Sequence, residues 1–215
     1  MRYNRCVTST DTVARRPRRD AQENRRGILD AAAVALANDP HASIDAIARR
    51  AHLTRRTLYG HFADRDSLIR ELVDLGAGRF NAIAGAVHDD DARVALATLT
   101  SRLWDEASEV QVAAAIALDE THVHDTADAL APLRAAVLRI VRRGQDDGSL
   151  REDIPAGTLA RLIEEAARMV ITRLDASSPD ARSLAVRTVL GVAGLSWREC
   201  AALVEQHPAI LEDAA

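Results

Sequence analysis

Apolar residues in this chain recur every three or four positions, and short polar segments separate the stretches with this spacing. The first stretch contains Ile28, Leu29, Ala32 and Leu36, and it ends at the Asn-Asp-Pro sequence of residues 38–40, because proline cannot continue a helix. Further stretches of the same kind follow, and no convincing alternation of apolar and polar residues indicates a strand. The pattern predicts an all-α protein of about nine helices.

Two long helices are predicted near the C-terminal end, at about residues 155–175 and 179–195. Pro155 begins the first of them, and a Ser-Ser-Pro sequence separates it from the second. The tail from about His207 is expected to fray. The first helix is expected to bury Leu159, Leu162, Ile163, Ala166 and Val170.

The composition supports helices. Alanine accounts for 42 of the 215 residues, and only 3% are aromatic. Alanine is the best helix former, whereas strands favour β-branched and aromatic residues. All 28 basic residues are arginine, which we attribute to the codon usage of a GC-rich genome. A chain of this length is expected to form one or two small domains.

The net charge of −4 conceals an uneven distribution. Residues 1–70 contain 14 arginines and 8 acidic residues, whereas residues 71–215 contain 14 arginines and 24 acidic residues. A basic end on an acidic body favours a nucleic acid as partner of the basic end. The Arg-rich residues 1–21 lack apolar periodicity, which predicts a flexible arm that either enters the minor groove or only solubilises the chain.

Several classes of protein are excluded. Cys6 and Cys200 have no Cys or His at ligand spacing, so neither a disulfide framework nor a zinc site is indicated. No uncharged apolar stretch approaches the roughly 18 residues of a membrane span, and no apolar segment of a secretory signal follows Arg5. We expect a cytoplasmic protein with no membrane partner and no cofactor.

Residues 43–62 predict a helix-turn-helix, in which two short helices are joined by a three-residue turn. Ser43 and Thr54 stand where N-cap residues belong. In such a motif the second helix lies in the DNA major groove. Arg55 and Arg56 occupy the first turn of that helix, where the helix dipole disfavours cations. Contacts with phosphate or with guanine would explain their position.

The same segment resembles the DNA-binding domain of the TetR/AcrR family of bacterial transcriptional regulators. The resemblance rests on residues 43–62, SIDAIARRAHLTRRTLYGHF, and on Asp-Arg-Asp-Ser-Leu at residues 64–68. Its most specific signal is the Thr-Leu-Tyr-x-His-Phe core. Four positions depart from the family pattern. His52 stands in the turn where glycine is common, and Gly60 stands where a larger side chain is usual. Ala63 and Arg65 stand where proline, serine and lysine are frequent.

The resemblance implies three segments: the arm at 1–21, a DNA-binding domain at 22–82 with its helix-turn-helix at about 43–62, and an effector-binding and dimerisation domain at 83–215. It implies a ligand-responsive regulator, most simply a repressor that binds a palindromic operator in double-stranded DNA as a homodimer. A small-molecule effector would release it from DNA. The two long helices near the C-terminal end would pair across the dimer.

The resemblance also assigns site residues. The positions that face base edges are Thr54, Arg55, Arg56 and Gly60. The positions that contact phosphates are Ser43, Tyr59, His61 and Arg65, and Thr57 belongs to the same DNA-binding set. For the effector pocket, residue type and helix position suggest Phe80, Trp104, Met169 and Arg173.

Residues 119–125 raise two alternatives, because His122 and His124 stand among carboxylates, and these residue types bind metals. One alternative is a metal-dependent enzyme that uses this segment. The other is a dimeric regulator without a small-molecule ligand. We favour a polar connection between helices with no bound metal and no enzymatic activity.

Overall fold

The computed structural model describes residues 15–39, 41–108 and 128–212 of the chain. These residues form nine α-helices and one short 3₁₀ helix, without a β-strand among them, which confirms the predicted all-α fold. None of these helices has the length and apolar character needed to cross a membrane. The helices are α1 (Arg15–Asn38), α2 (Ile44–Arg50), α3 (Arg55–Tyr59), α4 (Arg65–Ala86), α5 (Ala92–Ser108), α6 (Ala131–Asp146), α7 (Ala156–Arg173), α8 (Ala181–Val192) and α9 (Trp197–Gln206), followed by the 3₁₀ helix Pro208–Ile210.

The chain divides into two compact units, with the boundary between Leu68 and Ile69. Helices α1 to α3 belong to the first unit and α5 to α9 to the second, while α4 begins in the first unit and continues in the second. The domains predicted from the sequence meet later along the chain, at residues 82 and 83, near the end of α4.

Helix α1 begins earlier than the apolar pattern predicts. It starts at Arg15, inside the segment 1–21 that was expected to be a flexible arm. Arginine, alanine, glutamine and glutamate are good helix formers and need no apolar stripe to extend a helix that packs further along. Pro17 lies in the first turn, where backbone N–H groups have no partner within the helix, so its missing N–H costs nothing there.

The core of the first unit fixes which side of α3 faces solvent. Helix α1 packs against α2, and α2 packs against α3. Ile28, Ile47 and Leu58, one from each helix, are completely buried. Because Leu58 anchors α3 by one side, the other side of this short helix, with its polar residues, stays exposed.

The second unit is a helical bundle around α5 and α8. Helix α8 packs against α5 and α7, and α6 packs against α5 and α7. Its core includes the fully buried Leu99, Leu159 and Val186. The prediction of a buried Leu162 was wrong, because 44% of this residue is exposed on the outer side of α7.

The turn after α6 anchors the bundle through a close backbone approach. Leu150 is 3% exposed, and its N–H donates to the carbonyl of Gly144 over 2.8 Å. A Cβ on Gly144 would lie only 2.4 Å from Leu150 Cγ, so only glycine fits there. Gly148 has a φ of +71°, the left-handed conformation that reverses the chain. The N–H of Arg151 then donates to the carbonyl of Ala193 over 3.0 Å, which ties this turn to the end of α8.

The C-terminal region is more ordered than predicted. Helix α9 begins with a capping box, in which Ser196 Oγ accepts from Glu199 N and the Glu199 carboxylate accepts from Ser196 N over 2.7 Å. Cys200 and Leu203 of α9 are buried in the core. The prediction of a frayed tail from His207 fails at the 3₁₀ helix, because Ile210 is buried there.

Candidate DNA-binding surface and effector cavity

Side chains at the ends of α2 and α3 hold the helix-turn-helix in shape. Ser43 Oγ accepts a hydrogen bond from Ala46 N over 3.2 Å, and Thr54 Oγ1 accepts one from Thr57 N over 3.1 Å. The hydroxyls of Thr54 and Thr57 lie 2.8 Å apart. These contacts confirm both predicted N-caps. They also mean that the hydroxyls of Ser43 and Thr54 support the helices before any DNA arrives.

The turn between α2 and α3 has the geometry for which glycine is common. His52 has a φ of +55°, a left-handed conformation that histidine adopts at a cost. The N–H of Leu53 then donates back to the carbonyl of Ala48 over 2.9 Å, which closes the turn. His52 is therefore accommodated in a closed turn despite its left-handed conformation.

Arg55 lies between a carboxylate and an aromatic ring. Its Nη1 donates to Asp45 Oδ2 of α2 over 3.3 Å, and its Nε lies 3.2 Å from Asp45 Oδ1 without hydrogen-bond geometry. Its guanidinium carbon lies 5.5 Å from the centre of the Tyr59 ring. Hydrogen bonding with Tyr59 and the charge of Asp45 raise the pKa of Arg55 above its ordinary value. Because 63% of the side chain is exposed, a ligand can still reach it.

Arg56 is exposed beside Arg55, and among the described residues no carboxylate pairs with it. The two neighbouring arginines of α3 therefore differ in their partners, because within the described residues only Arg55 pairs with a carboxylate. Gly60 caps the C-terminal end of α3 with an ordinary φ of −70°, so no left-handed conformation requires glycine there. An added Cβ would lie 3.2 Å from the carbonyl oxygen of Thr57, a tight but not impossible contact.

The remaining predicted phosphate contacts lie at the ends of helices in the same unit. Tyr59 is 42% exposed, and His61 is half-buried. Arg65 begins α4, and its Nε donates to the carbonyl of Ala42 over 3.4 Å. Arg65 is thereby placed next to the N-cap Ser43, so two of the predicted phosphate contacts are neighbours in space.

Arg25 is a structural residue of this unit that the sequence pattern did not reveal. Its Nη1 donates to the carbonyl of His61 over 2.8 Å, and its guanidinium carbon lies 4.4 Å from the centre of the Phe62 ring. Arg25 thus ties α1 to the segment that follows α3. Periodicity gave no signal for it, because a cation that packs on an aromatic ring looks like any surface arginine in a sequence.

The second unit contains a cavity of about 330 Å³. Two of the four predicted pocket residues, Phe80 of α4 and Trp104 of α5, line it, and Trp104 is 5% exposed. The other two do not, because Met169 is 51% exposed on the outer side of α7 and Arg173 is exposed at its end. Most of the wall is apolar, with side chains that include Leu96, Leu99, Leu103, Val137 and Ile163.

Charged residues on the cavity wall occur as pairs of opposite sign. Arg134 Nε lies 3.2 Å from a Glu164 oxygen, and Arg168 pairs with Glu165. Burial raises the pKa of Glu164, and the charge of Arg134 opposes this shift. The described wall thus offers an apolar surface with hydrogen-bonding groups and no net charge.

The described residues do not provide a metal site of their own. Within residues 15–39, 41–108 and 128–212 no group of three or more His, Cys, Asp or Glu side chains could hold an ion. The segment 119–125, with His122 and His124, lies outside the described residues.

The fold defines a class of protein: an all-helical protein with an N-terminal helix-turn-helix and a larger helical unit. Residues 28–72 match the family model described as "Bacterial regulatory proteins, tetR family". The N-terminal unit is therefore a TetR-type helix-turn-helix domain, and the chain is a transcription regulator with this domain. This confirms the resemblance predicted from the sequence, and it points to a regulator rather than an enzyme.

Several solved structures share this fold, among them PfmR, a TetR family transcriptional regulator. FadR from Bacillus subtilis, in complex with stearoyl-CoA, has a TM-score of 0.68 at 15% identity over 79% of this chain and 97% of that chain. PfmR from Thermus thermophilus has a TM-score of 0.67 at 19% identity over 79% and 98%. RolR in complex with resorcinol has a TM-score of 0.61 at 16% identity over 87% and 96%. The search of curated proteins found no match.

Proposed function

We propose that this protein is a ligand-responsive transcriptional repressor that binds a palindromic operator as a homodimer. A small-molecule effector that binds in the cavity of the second unit releases it from DNA. The observation that carries the proposal is the exposed first turn of α3, where Arg55 and Arg56 stand side by side in the TetR-type domain. A cytoplasmic location follows from this function.

On DNA, α3 would lie in the major groove with Thr54, Arg55, Arg56 and Gly60 towards the bases. Arginine binds the O6 and N7 acceptors of guanine with two hydrogen bonds, which supports a reading role for this turn. Phosphates would be bound at the helix ends by Ser43, Thr57, Tyr59, His61 and Arg65. The net positive charge of residues 1–70 supplies affinity for DNA that falls as salt rises.

The outer side of α7 and α8 supports the homodimer. Leu162 and Met169 of α7 and Leu184 of α8 are 44%, 51% and 49% exposed, although all three are large and apolar. A second copy that covers this surface would remove them from water, and an isologous dimer matches the symmetry of a palindrome. Met169, which was predicted to line the effector pocket, is better explained as part of this surface.

The size and chemistry of the cavity support an effector that is mainly apolar and carries a neutral hydrogen-bonding group. A charged effector would have to separate Arg134 from Glu164 or Arg168 from Glu165. Resorcinol in RolR and stearoyl-CoA in FadR indicate that this fold accommodates ligands. Helix α4 carries both Arg65 and Phe80, so a shift of α4 on effector binding would act on a DNA-contacting residue. A coupling free energy of about 1–3 kcal/mol between the two ligands is typical.

The DNA-binding proposal is tested by selecting bound fragments from random duplex DNA and measuring affinity for the selected operator by fluorescence anisotropy. Arg55→Ala and Arg56→Ala should each weaken operator binding by about 1–3 kcal/mol per lost base contact. Arg139→Ala is the matched control, because it removes the same exposed charge from the second unit. Unchanged affinity in both α3 variants would show that α3 is not the recognition helix.

The dimer is tested by light scattering on Leu184→Glu. This variant should be monomeric and should lose cooperative binding to the palindrome. Leu75→Glu is the control, because Leu75 is similarly exposed, at 51%, but lies on α4. A Leu184→Glu protein that remains dimeric would refute the proposed interface.

Effector binding can be followed by tryptophan fluorescence. Trp197 is 70% exposed, so Trp197→Phe leaves the cavity-lining Trp104 as the single tryptophan. Neutral aromatic alcohols that quench this signal should also release the operator. If no compound in a diverse library quenches Trp104 or shifts the melting temperature, the regulator without a small-molecule ligand becomes the better description.

A further inference from the structure

Asp45 lies at a position in α2 from which it contacts the predicted reading surface without belonging to it. Its carboxylate faces Arg55 of α3, with one hydrogen bond of 3.3 Å and a second close approach of 3.2 Å. Asp45 Oδ1 is buried and accepts no hydrogen bond within the described structure. The Oδ1 oxygen therefore relies on the charge of Arg55, while the Asp45 side chain as a whole is 44% exposed.

The contact restrains Arg55 on two sides. Asp45 holds the guanidinium from α2, and the Tyr59 ring lies beneath it within the same helix. An arginine has five N–H donors, and the hydrogen bond to Asp45 uses one, so the guanidinium can keep this contact while it binds a guanine. The restraint lowers the conformational entropy that Arg55 loses on binding.

The contact also changes what Arg55 can bind. The negative charge of Asp45 offsets the positive charge of Arg55 and so weakens the attraction of Arg55 to a phosphate, which is recognised mainly by charge. A guanine edge is neutral and is recognised by the direction of its acceptors. Arg56, next in the chain, has no such carboxylate among the described residues, so no neighbouring negative charge restricts what it binds.

We infer that Asp45 is a specificity-determining positioning residue, which directs Arg55 to a base and away from the phosphates. The inference rests on the proposed DNA binding by α3. Loss of the Asp45 charge frees Arg55 to bind phosphates, so affinity for random-sequence DNA rises while affinity for the operator falls. The two effects have opposite sign, and a merely structural role for Asp45 would not produce both.

The test compares Asp45→Asn with the wild-type protein on the selected operator and on a random duplex of the same length. The ratio of the two affinities should fall about tenfold, within the range of a single bidentate base contact. The logarithmic salt dependence on the random duplex should steepen by about 1 for each protomer, because one more cation reaches a phosphate. Asp45→Ser is a second neutral replacement if Asp45→Asn folds poorly.

Two further variants distinguish a positioning role of Asp45 from a general effect of its negative charge. Asp30→Asn removes an exposed carboxylate of α1 in the same unit and should leave the affinity ratio unchanged. In an Arg55→Ala background, Asp45→Asn should have no further effect on the ratio, since Asp45 acts through Arg55.

Three results would overturn the inference. Asp45→Asn could tighten operator and random duplex equally, which would make Asp45 a repelling charge only. Its effect could persist in the Arg55→Ala background, which would exclude action through Arg55. If the wild-type protein selects no DNA sequence at all, the proposed function fails, and this inference fails with it; the first two results leave the proposed function intact.

Discussion

Gly144→Ala is expected to destabilise the second unit by about 2 kcal/mol. The new Cβ would lie 2.4 Å from Leu150 Cγ and 2.9 Å from Ala92 Cβ, and both residues are buried. Overpacking a core costs about 1–3 kcal/mol, and expelling a leucine side chain costs about 1.5–3 kcal/mol. Alanine regains only about 0.5–1 kcal/mol relative to glycine inside a helix. The clash therefore outweighs the gain in helix propensity.

The free energy of unfolding is measured by urea unfolding followed by circular dichroism. In a thermal scan the melting temperature should fall by about 4–8 °C. Gly78→Ala is the matched control, because Gly78 lies inside α4 and a Cβ there meets nothing within 4 Å. It should gain about 0.5–1 kcal/mol. In the double variant Gly144→Ala/Leu150→Ala, the two losses should be less than additive, because the closest contact of the new Cβ, with Leu150 Cγ, is absent. A Gly144→Ala protein as stable as wild type would refute the packing argument.

Three other predictions follow from local geometry. His52→Gly should raise the free energy of unfolding by about 1 kcal/mol in chemical denaturation, because glycine adopts the φ of +55° without strain, and a loss of stability would contradict this. Arg25→Ala should cost about 2 kcal/mol and lower DNA affinity, because the His61 carbonyl loses a charged donor; unchanged melting and affinity would refute it. Hydrogen bonds from Ser196 lower the pKa of Glu199, so its contribution to stability is present above the ordinary glutamate pKa and is lost as pH falls below it. Unfolding of Glu199→Gln at several pH values should show a smaller decline below about pH 4, near the ordinary glutamate pKa; an unchanged profile would exclude this cap as a source of acid sensitivity.

The sequence predicted the helix-turn-helix well because its signals are local. Ser43 and Thr54 cap helices through contacts within three residues, and such contacts depend little on the rest of the fold. The three-residue turn that contains His52 was predicted from its place between two short helices, and His52 adopts a left-handed conformation there. The ion pair between Asp45 and Arg55 was not predicted, because it joins residues ten positions apart on two helices whose relative angle is a property of the packed unit.

The cavity was predicted less well because its lining depends on which side of each helix turns inwards. On α7, Val170 and Ile171 line the cavity, whereas the neighbouring Met169 faces outwards. These adjacent residues lie on different sides of α7. Apolar periodicity does not show which side faces inwards when both sides of the helix carry apolar residues. Phe80 and Trp104 do line the cavity, in keeping with the tendency of large aromatic side chains to pack into apolar surroundings.

Arginine supplies the cation in the ion pairs of this protein with Asp45, Asp105, Glu106 and Glu164, and the sequence contains no lysine. A guanidinium stays charged at every pH at which a protein remains folded, and it is not a substrate for lysine acetylation. The positive charge of α3 is thus invariant in solution. At a given salt concentration, changes in the affinity of this protein for DNA must come from bound molecules or from the titration of carboxylates and histidines. Reagents specific for lysine side-chain amines find no target anywhere on the chain.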